Sequence, residues 1–314
     1  MIVPTATSVP TASPATDEGG TAARSADPIP VTGHPGGKHW LARLRADYRR
    51  EGARCVVSHA HEGPLRLLKS LYPEGDAICH SVLVHPPSGL VGGDTLDIGL
   101  TLDPGAHALV TTPGATRFYR SPTGALATQR LHARLGEDSR LEWLPLEAIA
   151  YPGCEGLNEA RFELAPSAEL FAWDITALGL PGAGQPYAAG RFQQHLEIPG
   201  VWLERGLLDA SDALLMDGEL GLAGHRCLGT LVFASGTAIA RERREQALDA
   251  VRALIEADPL RTSAGATAAQ DGVLIVRALG PVVEPVALLL RRCWATWRQV
   301  LWGLDGTAPR LWAL

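Results

Sequence analysis

Short runs in which apolar and polar residues alternate dominate the chain from about His39 onwards. Trp40, Leu41 and Leu44 begin this patterned region, and turns rich in Gly and Pro separate each run from the next. A period of two with dense Gly and Pro punctuation is typical of β-strands, because successive side chains of a strand point to opposite faces. We therefore predict one mostly β domain over residues 38–314.

Residues 1–37 have a different composition. They are rich in Pro, Thr, Ala, Ser and Gly and contain few large apolar side chains. Such a segment buries too little apolar surface to offset the entropy cost of ordering its backbone. We predict that this N-terminal arm is disordered.

A weak internal repeat indicates how the strands are arranged. Similar segments begin at Leu102, Leu135 and Leu164, and each joins two alternating runs through a short turn of Pro, Gly, Asp or Ser. Each unit has the pattern of a β-hairpin. A hairpin that recurs about every 30 residues cannot close its own core, so successive units must lie on one another. The sequence thus predicts stacked β-strands in a solenoid-like or helical β arrangement.

Two segments near the C-terminus follow the helical period instead. Apolar residues recur at helical spacing over 243–258 and 285–302, which predicts two α-helices in the C-terminal half. Trp294 and Trp297 belong to the apolar stripe of the second helix. A stripe of this kind is more often core than a docking face for a partner. Both interpretations stay open.

Composition and charge narrow the function classes. The 314 residues are 46% hydrophobic and 20% charged, which is ordinary for one or two globular domains. The formal net charge is −6 and no long Lys/Arg run occurs, so binding to nucleic acid is disfavoured. We expect no membrane span, because no run approaches the roughly 18 to 20 apolar residues that a span needs.

The five cysteines are far apart and form no CxxC pair. An odd number of scattered cysteines does not indicate a disulfide framework, so a reducing compartment fits best. The first 23 residues also lack the basic and apolar regions of a secretion signal. We predict a cytoplasmic protein.

Residues 85–94 form the strongest local motif, which is dense in glycine and ends in Asp94. It has neither the spacing nor the following helix of a phosphate-binding loop. A tight turn in which Asp94 binds its own backbone is the simpler interpretation. His59 and His61, together with His85, offer imidazoles for a metal site, and imidazole would suit nickel or zinc equally.

Several carboxylates lie in or beside apolar runs, among them Glu142, Glu147 and Asp174. A buried carboxylate is costly unless it is paired, hydrogen-bonded or bound to a cation, so any that face inward should have such partners. The usual catalytic motifs GxSxG and HExxH are absent. A carbohydrate-active enzyme using Glu142 and Glu147 is an alternative, although five positions apart they would lie on opposite faces of a strand.

An ordered set of motifs resembles the D-type urease accessory proteins, the UreD/UreH family. The core of the resemblance lies at 85–94, 111–121 and 141–147, with flanking matches at 59–66, 72–75 and 309–312. It covers roughly residues 38–314. This sequence departs from the family pattern at Ser88, at Leu146, where family members commonly have Gln, and at Leu180, where they commonly have Arg.

The resemblance implies a non-catalytic scaffold of stacked β-strands with no cofactor of its own. Members bind the F-type accessory protein UreF, which recruits the G-type GTPase UreG, and the complex inserts nickel into apo-urease. Nickel is then transient cargo in an internal path lined by carboxylates, for which Asp94, Glu147 and Asp174 are the candidates. Candidate partner contacts are Trp294, Trp297, Arg310 and Trp312. A structural metal-binding module built on His59, His61 and His85 is a further alternative.

Overall fold

The computed structural model describes residues 40–87 and 89–313, so the predicted arm over 1–37 and the departure at Ser88 lie outside the described residues. Within them the alternating runs form strands, as predicted. The strands are β1 (Leu41–Glu51), β2 (Arg54–Glu62), β3 (Arg66–Leu67), β4 (Cys79–Val84), β5 (Gly89–Leu90), β6 (Thr95–Leu102), β7 (His107–Thr111), β8 (Thr116–Phe118), β9 (Ala127–Leu135), β10 (Arg140–Trp143), β11 (Ala148–Ala150), β12 (Cys154–Leu164), β13 (Glu169–Leu180), β14 (Gln185–Pro186), β15 (Gly190–Ile198), β16 (Trp202–Asp209), β17 (Cys227–Ser235), β18 (Ala264–Gln270) and β19 (Val273–Gly280).

Two large sheets contain most of these strands. The first sheet has the order β16-β15-β12-β9-β6-β1-β2, and the main path of the second has the order β18-β19-β17-β13-β10-β7-β4-β3. The central strands of both sheets pair in parallel, and the chain passes from one sheet to the other and back in successive coils. Short strands β5, β8 and β11 form part of the connection on one side of each coil. The predicted solenoid-like stacking is confirmed.

The register of the coils confirms the repeat but not the hairpins. Leu102 lies opposite Leu135, and Leu135 lies opposite Leu164, so the three predicted copies are equivalent positions of successive coils. However, β6 and β7, which flank the first of these turns, belong to different sheets. The hairpin prediction was wrong because a corner between two stacked sheets needs the same turn residues and the same alternation as a hairpin.

Two helices, α2 (Arg241–Glu256) and α3 (Val283–Trp297), cover the outer face of the second sheet, and a π-helical turn over Arg298–Trp302 continues α3. A short helix, α1 (Ala213–Asp217), follows β16 and adds Met216 to the core between the sheets. The two predicted C-terminal helices are therefore confirmed; each begins two residues earlier than expected, and α1 was not predicted. No helix in the described part of the chain is both long and apolar enough to cross a membrane.

The layers enclose two cores. One lies between the two sheets and includes Ile98, Leu131 and Leu170. The other lies between the second sheet and the helices and includes Phe171 and Leu289. The central strands of the second sheet, such as β7 and β13, are consequently buried on both faces.

Candidate functional site

A row of polar side chains crosses the otherwise apolar space between the two sheets. Gln129, Asn158 and Gln194 occupy facing positions of β9, β12 and β15 in the first sheet. Asp174 and Thr176 approach them from β13 in the second sheet, since Asn158 and Gln194 both reach Asp174. We call these five residues the polar seam.

Neutral donors surround the carboxylate of Asp174. Asn158 donates to Oδ2 over 2.8 Å, while Gln194 and Thr176 donate to Oδ1 over 3.0 and 2.8 Å. Gln129 extends the chain of hydrogen bonds by donating to the Asn158 side-chain oxygen over 3.0 Å. Loss of solvation raises the pKa of Asp174, and these hydrogen bonds oppose the rise only in part. The expectation that an inward carboxylate is hydrogen-bonded is confirmed at this residue.

Open space adjoins the seam at Gln129 and beside Asp174. A cavity of about 330 Å³ is lined by His85, Thr116 and Arg117 and reaches Gln129. A void of about 30 Å³ beside Asp174 shares Thr116 and Gln129 with that cavity. A void of this size holds a water molecule, and its lining supplies the polar partners that water needs. The seam can therefore hold water between the sheets.

The other two predicted acids lie outside the seam. Asp94 accepts hydrogen bonds from the backbone N–H groups of Trp40 and Val91, over 3.1 and 3.0 Å, which is the turn-binding arrangement of the simpler interpretation. Glu147 is half-buried beside β11. Burial raises the pKa of the Cys227 thiol, which lies in the core beneath the helices, and the negative charge of Glu147 raises it further.

The predicted histidine ligands do not converge. His59 and His61 are exposed on β2, with ring centroids 6.2 Å apart. His85 lines the cavity near the seam, and loss of solvation lowers its pKa, an effect that the charge of Asp94 partly offsets. Among residues 40–87 and 89–313, no three His, Cys, Asp or Glu side chains form a group able to hold a metal ion.

The predicted partner residues divide into buried and exposed ones. Trp294, Trp297 and Trp312 are buried, which agrees with the core interpretation of the apolar stripe. Arg310 is exposed in a short turn near the chain end. A contact with a partner through these residues stays a prediction.

Sequence reasoning missed a buried ionic cluster between the second sheet and α3. Arg298 donates to both carboxylate oxygens of Glu142 over 3.0 to 3.2 Å, and to Glu74 over 2.7 and 3.0 Å. His107 and Trp294 complete the shell around Glu142 over 2.8 and 2.7 Å. Because Glu142 is fully buried and bound in this way, it is not presented to a substrate.

The polar seam also went unrecognised, although the sequence carries a signal for it. Gln129, Asn158 and Gln194 are polar residues at inward positions of strands in which apolar and polar residues alternate, and inward positions are usually apolar.

The two departures from the family pattern at Leu146 and Leu180 are both half-buried, and Leu146 lines the void beside Asp174. An amide at position 146 would add a polar group to that void.

The cysteines are poor candidates for metal ligation. All five are buried and unpaired. Burial raises the pKa of Cys154 to about 11 and that of Cys293 to about 12, so these thiols stay protonated at neutral pH. The thiolate is the form that binds metal, so neither of these two thiols is a ready ligand.

Comparison with known proteins gives one consistent result. Residues 41–313 match the family model for the UreD urease accessory protein. The chain is 63% identical over 275 residues to the urease accessory protein UreD of Paracidovorax citrulli (strain AAC00-1), which covers 88% of this chain and 99% of that protein. The UreD proteins of Albidiferax ferrireducens and Variovorax paradoxus are 58% and 56% identical over 275 and 274 residues, covering 88% and 87% of this chain and 99% of each relative. The chain therefore belongs to the UreD family of urease accessory proteins.

Proposed function

We propose that this chain is a non-catalytic scaffold that delivers nickel to apo-urease in the cytoplasm. It binds UreF, which recruits the GTPase UreG, and the assembly docks on apo-urease. Nickel is cargo, and the chain needs no cofactor of its own. Family membership and relatives that are named accessory proteins support this role, and five free thiols suit a reducing compartment.

The polar seam carries the nickel part of the proposal. It supplies carboxylate, amide and hydroxyl oxygens in a row between the sheets, next to space for water. A hydrated divalent cation exchanges its water for such oxygens, and the single negative charge of Asp174 attracts it without a ligand set strong enough to retain it. Asp174 is therefore the acid that we assign to the path, in preference to Asp94 and Glu147.

The change Asp174→Asn tests this assignment. It removes the charge and keeps the shape. The amide oxygen still accepts from Gln194 and Thr176, and rotation of the Asn158 amide lets its oxygen accept from the new NH2 group, so the fold should persist. The matched control is Glu155→Gln, which removes the same type of charge from β12 at a residue outside the void and paired with Arg191 over 3.0 Å. Both variants are expressed with a urease operon, and nickel per urease and urease activity are measured.

We expect Asp174→Asn to lower nickel per urease and activity at least several-fold, while Glu155→Gln matches the wild type and both variants still co-purify with UreF. Equal nickel loading by the two variants would exclude Asp174 from the path. Unchanged nickel loading after deletion of the whole reading frame would contradict the scaffold function itself.

A further inference from the structure

The polar row extends beyond Asp174 along the second sheet. The register places Thr230 of β17 opposite Asp174, and Arg277 of β19 opposite Thr230. Residues in register on neighbouring strands project to the same face of a sheet. The row therefore runs from the seam to the guanidinium of Arg277 on one continuous surface.

This row ends in a groove of about 730 Å³ beside β16, the edge strand of the first sheet. The second sheet continues past that edge with β17, β19 and β18, which form the floor. Glu204 of β16, together with Thr230 and Arg277, lines the groove. Glu204 lies near enough to Asp174 for its negative charge to help raise the pKa of that acid. The groove and the seam thus meet at Glu204.

An ion pair stands at this meeting point. Arg277 Nη2 lies 3.0 Å from Glu204 Oε2, and the Arg277 side chain is 56% exposed. Within the part of the chain that the structure describes, the same Glu204 oxygen is buried and accepts no aligned hydrogen bond. The pair is poorly aligned and its Arg277 end is exposed, so the contact itself is weak. Because Glu204 lines the open groove, water can solvate its carboxylate when Arg277 leaves.

We propose that Arg277 gates this end of the seam for divalent cations. While Arg277 pairs with Glu204, its positive charge lies where the groove meets the seam and neutralises the carboxylate of Glu204. When Arg277 turns towards solvent or towards an acidic group of a docked protein, the negative charge of Glu204 is no longer neutralised. The carboxylates of Glu204 and Asp174 then both attract a divalent cation to this end of the seam. The gate rests on the proposed function, in which nickel moves along the seam.

Equilibrium dialysis of the purified full chain against Ni²⁺ tests the gate. Arg277→Gln removes the charge at the mouth and should tighten nickel binding about tenfold, as expected for one unit charge near a dication in a partly buried site. The matched control is Arg205→Gln, which removes the same charge from an exposed position of β16 next to Glu204. We expect it to change binding by less than about twofold, because solvent and salt screen that position.

Two further variants identify the group that the gate controls. Adding Glu204→Gln to Arg277→Gln should abolish the gain, and Glu204→Gln alone should bind nickel no more tightly than the wild type. Equal binding by Arg277→Gln and Arg205→Gln would overturn the gate. Failure of the proposed function is seen separately, as normal nickel content of urease when the reading frame is deleted, so the two failures are distinguishable.

Discussion

At the scale of single residues, the buried charges of this protein are held by partners that are distant in the sequence. Burial would raise the pKa of Glu142, but the hydrogen bond from His107 and the charge of Arg298 outweigh it and lower that pKa. Burial lowers the pKa of His107, and the contact with Glu142 offsets this only in part. His107 is therefore a neutral donor to Glu142 at neutral pH, and Arg298 is the cation of the cluster.

This assignment predicts how stability depends on pH. Because the pKa of His107 is lower in the folded chain than its unfolded value of about 6.5, the unfolded state takes up the proton first as the pH falls. The free energy of unfolding should decrease below about pH 6.5. In His107→Gln it should be about 1 kcal/mol lower at pH 7, with a shallower decrease from pH 7 to pH 5.

Urea unfolding at a series of pH values measures both quantities. The control is His61→Gln, since His61 is exposed on β2 and lies outside the cluster. It should keep the wild-type slope. The neutral assignment of His107 would be contradicted by identical slopes in His107→Gln and the wild type.

At the scale of elements, the burial of each strand explains how much of its orientation could be recognised from the sequence. Strand β6 alternates between buried and half-buried residues, because only one face meets the core, and its period of two was recognised. Strands β7 and β13 are buried almost throughout, because the helices cover the other face of their sheet. Their continuous apolar runs do not reveal which side a residue faces. For this reason the sequence left the direction of Asp174 on β13 open.

Gly179 near the end of β13 has a specific conformational requirement. Its φ is +73°, and a Cβ there would lie 2.6 Å from the backbone nitrogen of Tyr187 in the returning chain. Gly179→Ala should therefore lower the free energy of unfolding by about 1 to 3 kcal/mol through backbone strain and close contact. Gly265→Ala on β18 is the matched control, because its Cβ meets open space and its φ is not positive.

We expect the control to shift the unfolding free energy by no more than about 0.5 kcal/mol in either direction. Denaturant titrations of both variants, followed by tryptophan fluorescence, give the comparison. Similar losses in the two variants would show that the close return of the chain at Gly179 is relaxed in solution.

At the scale of the whole molecule, residues near the C-terminus contact residues of much earlier coils. The indole N–H of Trp312 donates to Thr111, 201 residues earlier, over 3.0 Å. Its ring packs against Trp173 and Trp294 with centroid distances of 5.0 and 5.2 Å. The core beneath the helices is therefore closed only when the last residues are in place. The helical period of α3 predicted its apolar face, but contacts over such separations leave no trace in local patterns.

Substitutions of Trp312 and Arg310, which are two positions apart, distinguish a role in packing from a role in partner contact. Trp312→Ala removes a buried indole and its hydrogen bond, so it should lower the free energy of unfolding by about 3 to 5 kcal/mol. This is a large share of the roughly 5 to 15 kcal/mol that stabilises a typical domain. Arg310→Ala, at an exposed position, should change stability by less than about 0.5 kcal/mol.

Co-purification with UreF, measured beside unfolding, then decides what the C-terminal turn does. If Arg310 contacts the partner, Arg310→Ala reduces recovery of the complex at unchanged stability, whereas Trp312→Ala reduces recovery only as far as it reduces the folded fraction. Full recovery with Arg310→Ala would remove this residue from the interface. A stable Trp312→Ala variant that fails to bind UreF would instead make the turn a docking element, because loss of packing could not then explain the loss of the complex.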